Sequence, residues 1–281
     1  MAVTASLAEP AARRLATPHG PDQAWAEAPA VEQIDRAPGA PPVLLLCDHA
    51  GRRVPPELGD LGVPAASFAR HIAFDIGAAG VTRTLAAELG AAALLCHVSR
   101  LVIDPNRRPG APSSIPALSD GTVVPANESL DARERAHRAA LGFLPYHRAI
   151  ARVIAAHRRA GETPALISVH SFAPELAGVA RPWHAGVLWN DDGRIARPLL
   201  DALRREPGLQ IGDNQPYSAR VELGYTIPFH AERTRLPHVT LEIRQDEIAR
   251  PEAAARWARR LATALRPILA DAQLYTPLRR D

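Results

Sequence analysis

The strongest constraint in this 281-residue sequence is a set of short, wholly apolar runs, each of which ends in or carries polar residues. Val43-Leu44-Leu45-Leu46-Cys47 runs into Asp48-His49-Ala50-Gly51, and Ala165 to Val169 runs into His170-Ser171. Runs of this length without alternation suit central strands buried on both faces, because a strand facing water on one side would alternate. Further strands are expected at 91–98, 184–189, 209–212 and 238–243. Helical spacing is expected over 64–89, where Phe68, Ile72, Ile76 and Leu85 share a side and Gly77 and Gly80 interrupt, and over 131–159, 193–205 and 251–270. Strands alternating with helices build βαβ units. The expected fold is therefore α/β, with a largely parallel sheet covered by helices on both faces. Residues 1–40, rich in Ala and Pro, read as an N-terminal arm that is loose or laid over the surface, and 41–281 as the domain. The Pro/Gly/Ser-rich stretch 109–121 is long enough to suggest a lid or substrate-binding loop.

Composition narrows the function. All 33 basic residues are arginine against 30 acidic ones, a net charge of only +3, and 22% of residues are charged. The arginines are scattered along helices and form no basic stripe, which argues against a nucleic-acid partner. Cys47 and Cys96 both fall in apolar runs and are expected as buried free thiols in a reducing compartment. No apolar run approaches the ~18 residues of a membrane span, and Arg13 and Arg14 are not followed by the apolar stretch of a secretory signal. A cytoplasmic enzyme with no membrane partner is expected; oligomeric state is not legible.

In parallel sheets, ligands bind at the carboxyl ends of the strands. There the sequence places His49, His170 and, within Val239-Thr240-Leu241-Glu242-Ile243-Arg244, Glu242. Two histidines from distant strand ends suit two ligands of a hydrolytic metal, which needs about three N or O donors and a nearby carboxylate to take a proton. Each histidine equally suits a polar cap on a strand, and Glu242 a salt bridge to Arg244. Asp75, an acid inside the apolar stretch His71 to Gly77, is costly to bury unless paired or bound to metal. Asp104 suits a turn cap as well as a site. Arg100, Arg107 and Arg220 lie in polar loops beside the strand ends and carry the fork that grips a carboxylate. Asn214-Gln215-Pro216-Tyr217-Ser218 is a polar turn that either grips a ligand or reverses the chain, and Arg181-Pro182-Trp183-His184 is open in the same way.

Six segments, taken in order, resemble the N-formylglutamate amidohydrolase family. They are Cys47-Asp48-His49-Ala50-Gly51 with Val54-Pro55, His71 to Gly77, Ser99 to Arg107, Ser168 to Phe172, Asn214 to Ser218, and Leu241 to Asp246. The resemblance extends to zinc carboxypeptidases, in which a histidine like His170 ligates zinc, a glutamate like Glu242 is the catalytic base, and an Asn-Arg pair like Asn106-Arg107 binds the substrate carboxylate. It implies a carboxypeptidase-like (phosphorylase/hydrolase-like) α/β fold, a single-domain three-layer sandwich with a mixed, mostly parallel sheet between helices, and a divalent cation, Zn²⁺ in the first instance. It further implies hydrolysis of N-formyl-L-glutamate to formate and glutamate, a step in histidine degradation. The alternative reaction is deacylation of another N-acyl amino acid. The expected metal shell is His49, His170 and a carboxylate, with Glu242 as general base. Arg100, Asn106, Arg107, Asn214, Tyr217 and Arg220 are expected around a small acidic substrate. One departure stands out: carboxypeptidases place a glutamate ligand three residues after the first histidine, and here that residue is Arg52. Asp75 is the first choice for the missing carboxylate and Asp48 the second. A non-catalytic binding module is the rival outside enzymes, disfavoured by the presence of His49, His170 and Glu242 together.

Overall fold

The computed structural model describes residues 29–221 and 224–276. Seven strands form the main sheet: β1 (Val31–Ile34), β2 (Val43–Cys47), β3 (Ala92–Cys96), β4 (Ala165–Phe172), β5 (Ala185–Leu188), β6 (Ile211–Asp213) and β7 (His238–Arg244). Their spatial order is β1-β3-β2-β4-β7-β5-β6. The central four, β3, β2, β4 and β7, are mutually parallel. β1 pairs antiparallel with β3, and β5 antiparallel with β7, so the sheet is mixed and mostly parallel.

The strand period of two sorts each apolar run onto two faces. Val43, Leu45 and Cys47 join one core cluster, packed against α1 (Ala78–Leu89), α4 (Ala196–Arg204) and α7 (Pro251–Leu269). Leu44 and Leu46 join the other, under the helical segment that ends in α3 (Leu144–Arg159). Both clusters are buried, and each fully buried leucine contributes about 1.5–3 kcal/mol. The same parity puts His170 and Glu242 on one face, since their neighbours Val169, Leu241 and Ile243 point to the other. Register places the two directly opposite each other on β4 and β7.

Several boundaries differ from the sequence expectation. Helix 64–89 begins only at Ala78. Gly77 adopts φ +81°, and a Cβ there would lie 2.2 Å from the Ile248 carbonyl oxygen, so the chain turns tightly under α6 (Gln245–Ile248). Residues 73–75 are instead tied by backbone hydrogen bonds to the ends of two strands: Asp75 N–H donates to His49 (2.9 Å) and Arg100 N–H to Ala73 (3.1 Å). The helix expected over 131–159 is split into α2 (Ala132–Arg138), a π turn (Ala139–Phe143) and α3. Pro145, with no N–H to give, lies in the first turn of α3. β4 continues to Phe172, so His170 lies within the strand. Of the segment read as an arm, Val31–Ile34 forms the sheet edge, and residues 1–28 lie outside the described residues. Cys47 and Cys96 are buried free thiols. Among the described residues no helix is long and apolar enough to cross a membrane. α5 (Thr226–His230) closes the set.

Candidate metal centre

The carboxyl ends of β2, β4 and β7 open onto a cavity of about 460 Å³ lined by His49, Asp75, Arg100, His170 and Glu242, among others. At its floor, His49, Asp75 and His170 are all buried and offer one donor atom each within 4.8 Å of one another. Asp75 Oδ2 lies between the two imidazoles, 3.3 Å from Nδ1 of His49 and 2.9 Å from Nδ1 of His170, and accepts from the Ser171 N–H at 3.3 Å. The irregular backbone at 73–75 brings that carboxylate under both strand ends; a helix continued from residue 64 would have carried it elsewhere.

A carboxylate stands behind each imidazole. His49 Nε2 is 2.7 Å from Asp104 Oδ1, which also accepts the Asn106 N–H at 2.8 Å. His170 Nε2 is 3.1 Å from Ser168 Oγ and 3.0 Å from Asp48 Oδ2. Carboxylates behind Nε2 favour a proton on that nitrogen, so that each Nδ1 would be the atom to ligate a cation, as in metal sites. Asp48, the second choice as ligand, is thus an outer partner of His170. Asp104 caps a turn and orients His49 at once.

The charges are strongly coupled. Burial alone would raise the Asp75 pKa, but Arg100 and the two histidines hold it well below the carboxylate range. Burial opposes charge on His170, yet Asp48 and Asp75 outweigh it and raise its pKa well above that of a free imidazole. Glu242 goes the other way: desolvation, supported by the Asp75 charge, outweighs the attraction of His170 and Arg100 and lifts it to about 7. Its Oε2 is buried without a hydrogen-bond partner. The expected alternative, a salt bridge to Arg244, does not form; Arg244 pairs with Asp246 (2.8 Å) and Glu247 (3.2 Å). His71 Nδ1 and Ser171 Oγ, on the same cavity wall, are likewise buried without hydrogen-bond partners. Buried polar atoms are rarely left unpaired. Their convergence on a His-Asp-His set is what a centre built for a cation requires, and the residues present fit one.

The expected substrate residues divide. Arg107, Tyr217 and Arg220 line the cavity. Arg220 lies over the Trp189 ring at 5.2 Å, and the Tyr217 hydroxyl accepts from Arg181 at 3.0 Å. Asn106 also lines it, but its Oδ1 accepts the Tyr225 and Thr226 N–H groups at 2.8 and 3.0 Å, holding the start of α5. Asn214 does not line it: at φ +52° its Oδ1 accepts from Trp189 and Ala219 at 3.1 and 3.0 Å, so it reverses the chain. That turn crosses β5 so closely that a Cβ on Gly186, beside Glu242 in the register, would lie 1.8 Å from the Gln215 carbonyl oxygen. Arg100, expected at the substrate, instead points at the His49–Asp75 pair, its Nη2 contacting Asp75 Oδ1 and His49 Nδ1. The 109–121 loop contributes nothing to the cavity lining. It buttresses the site from outside, with the Ser114 carbonyl accepting the Asp104 N–H at 2.8 Å and Asn127 donating to Pro116 and Leu101 at 2.8 and 2.7 Å. His71 is the cavity residue that sequence reasoning left without a role; its spacing of four from Asp75 was the available signal.

Sheet, strand-end histidines and carboxylate cluster together define an α/β protein with a candidate metal centre at the carboxyl ends of its strands. Comparison makes the assignment closer: the N-formylglutamate amidohydrolase family model matches residues 41–249, and the chain belongs to that family. It is accordingly a hydrolase acting on amide bonds. The crystal structure of gene product Atu2144 from Agrobacterium tumefaciens is 33% identical with a TM-score of 0.82, over 87% of this chain and 96% of that one. The N-formylglutamate amidohydrolase from Ralstonia eutropha JMP134 shares the fold at 20% identity and a TM-score of 0.61, over 86% of this chain and 97% of its own. No curated protein sequence matches.

Proposed function

We propose that the protein hydrolyses N-formyl-L-glutamate to formate and L-glutamate, using one divalent cation, zinc in the first instance, held by His49, Asp75 and His170. The observation that carries this reading is the Asp75 carboxylate set between two Nδ1 atoms whose Nε2 atoms face carboxylates. The family's reaction supports the substrate, which fits a cavity whose wall carries Arg107 and Arg220 for two carboxylates. A cation held there would supply Lewis-acid polarisation of the amide carbonyl and would acidify a water.

The chain's own residues do the rest. Glu242, with an unpaired Oε2 and a pKa near 7, accepts a proton from the attacking water as the C–O bond forms. It returns that proton to the amine nitrogen as the C–N bond breaks. Asp104 and Asp48 keep the imidazoles in one tautomer through the cycle. The cavity's arginines orient the substrate by its carboxylates and so hold the amide within reach of Glu242. By the same reading the partner is a small acidic molecule, with no nucleic acid or membrane involved. The place of action is the cytoplasm, which suits the buried free thiols, and the step is one of histidine degradation. Glu242→Gln tests the assignment. The variant keeps its metal by elemental analysis and loses about 10²–10⁴ in kcat, whereas unchanged turnover would remove Glu242 from the mechanism.

A further inference from the structure

Arg100 follows β3 and lines the same cavity as His49, Asp75, His170 and Glu242. Its Nη2 group contacts Nδ1 of His49 and Oδ1 of Asp75, two of the three atoms-bearing residues of the candidate metal shell. A guanidinium can only donate, so this contact makes His49 Nδ1 the acceptor and assigns the ring proton to Nε2, facing Asp104. The Nδ1 lone pair is the one a cation would use, and it accepts from the guanidinium instead. A guanidinium and a dication cannot share it, and two like charges at contact in a buried site repel strongly.

Arg100 also shows how it can leave. Arginine normally engages a carboxylate with both arms of its fork. Here both of these contacts run through the single atom Nη2, and Nε is buried without a hydrogen-bond partner. The side chain is 19% exposed and lines the cavity. It is therefore anchored by one atom beside open space.

We propose that Arg100 is a displaceable counter-ion. In the metal-free protein it holds the cation's place between His49 and Asp75, and it withdraws into the cavity when a cation binds. This rests on the metal reading above and adds a cost to loading. The guanidinium keeps the buried Asp75 charge paired while the site is empty, and the cation must displace it. Apparent affinity falls by the fraction of molecules in which the place is free. Withdrawal brings a positive group to the space where the acidic substrate sits, so loading and substrate binding reinforce each other.

The test uses the full-length protein, stripped by a chelator and titrated with Zn²⁺ against a chromophoric competitor. Arg100→Gln is expected to bind zinc about ten-fold or more tightly than the wild type. Its metal-free form should melt lower, and zinc should raise its melting temperature by more. If the wild type binds zinc and a folded Arg100→Gln binds it equally or more weakly, the proposal is wrong and the metal site stands. If the wild type binds no zinc, the metal reading fails and takes the proposal with it. Crystal structures of the wild type with and without zinc decide the matter even if the variant does not fold. The guanidinium is expected off His49 Nδ1 in the loaded form, and an unmoved guanidinium overturns the proposal.

Discussion

Glu242 has an environment that resists its charge, and this has a measurable consequence for stability. Its pKa rises from 4.5 to about 7 on folding, chiefly through burial. A carboxylate with a raised folded-state pKa contributes stability that is fully present below the unfolded value of 4.5 and lost as pH rises through about 7. The loss amounts to roughly 1 kcal/mol at pH 5 and roughly 3 kcal/mol at pH 8. Glutamine has nearly the same shape and cannot ionise, so Glu242→Gln escapes it. Whatever else the substitution does to packing is the same at both pH values, and the other titrating groups are common to both proteins. Between pH 5 and pH 8, the stability difference between variant and wild type should therefore move in the variant's favour by about 2–3 kcal/mol. In melting temperature that is about 5–10 °C for a chain of this size. Urea denaturation of the chelator-stripped proteins at the two pH values measures it, and saturating zinc should shrink the effect by favouring the carboxylate. A difference that does not change with pH would refute the desolvated environment assigned to Glu242. A site that gives up stability for a poised base is the usual trade between activity and robustness.

Two further outcomes follow from the residues around the centre. Asp104→Ala removes the 2.7 Å partner of His49 Nε2 and should weaken zinc binding about 10–100-fold in chelator competition; wild-type affinity in that variant would deny Asp104 its orienting role. Arg107→Ala should raise KM far more for N-formylglutamate than for a neutral formamide, with steady-state formate release as the readout, because the lost contact is to a carboxylate. An equal rise for both substrates would place Arg107 outside carboxylate recognition.

The core of the fold and half of the site were legible in the chain because both rest on local pattern. Apolar runs such as Val43–Cys47 and Ala165–Val169 specify buried parallel strands, and strand ends in such sheets carry the ligands. His49, His170 and Glu242 were found that way. Asp75 stood out only as a buried acid; its place beneath both histidines depends on backbone contacts to residues 26 positions earlier and, through the Ala73 carbonyl, 27 later. Arg100 looks like any other loop arginine until Asp75, 25 residues away, is seen to face it. Asn106 and Asn214 carry the right chemistry for a ligand, yet their side-chain oxygens satisfy backbone N–H groups brought close by the fold. Helix 64–89 failed because periodicity alone does not register the approach of Ile248 to Gly77. Long-range contacts of these kinds leave no periodic trace.

Formate release from N-formyl-L-glutamate, measured before and after metal is stripped with a chelator and again after zinc is restored, is the direct test of a metal-dependent amidohydrolase. Turnover is expected to disappear with the metal and to return with about one zinc per chain. Turnover that survives complete removal of metal would contradict the metal centre at His49, Asp75 and His170. No formate release from the zinc-loaded protein would contradict the substrate.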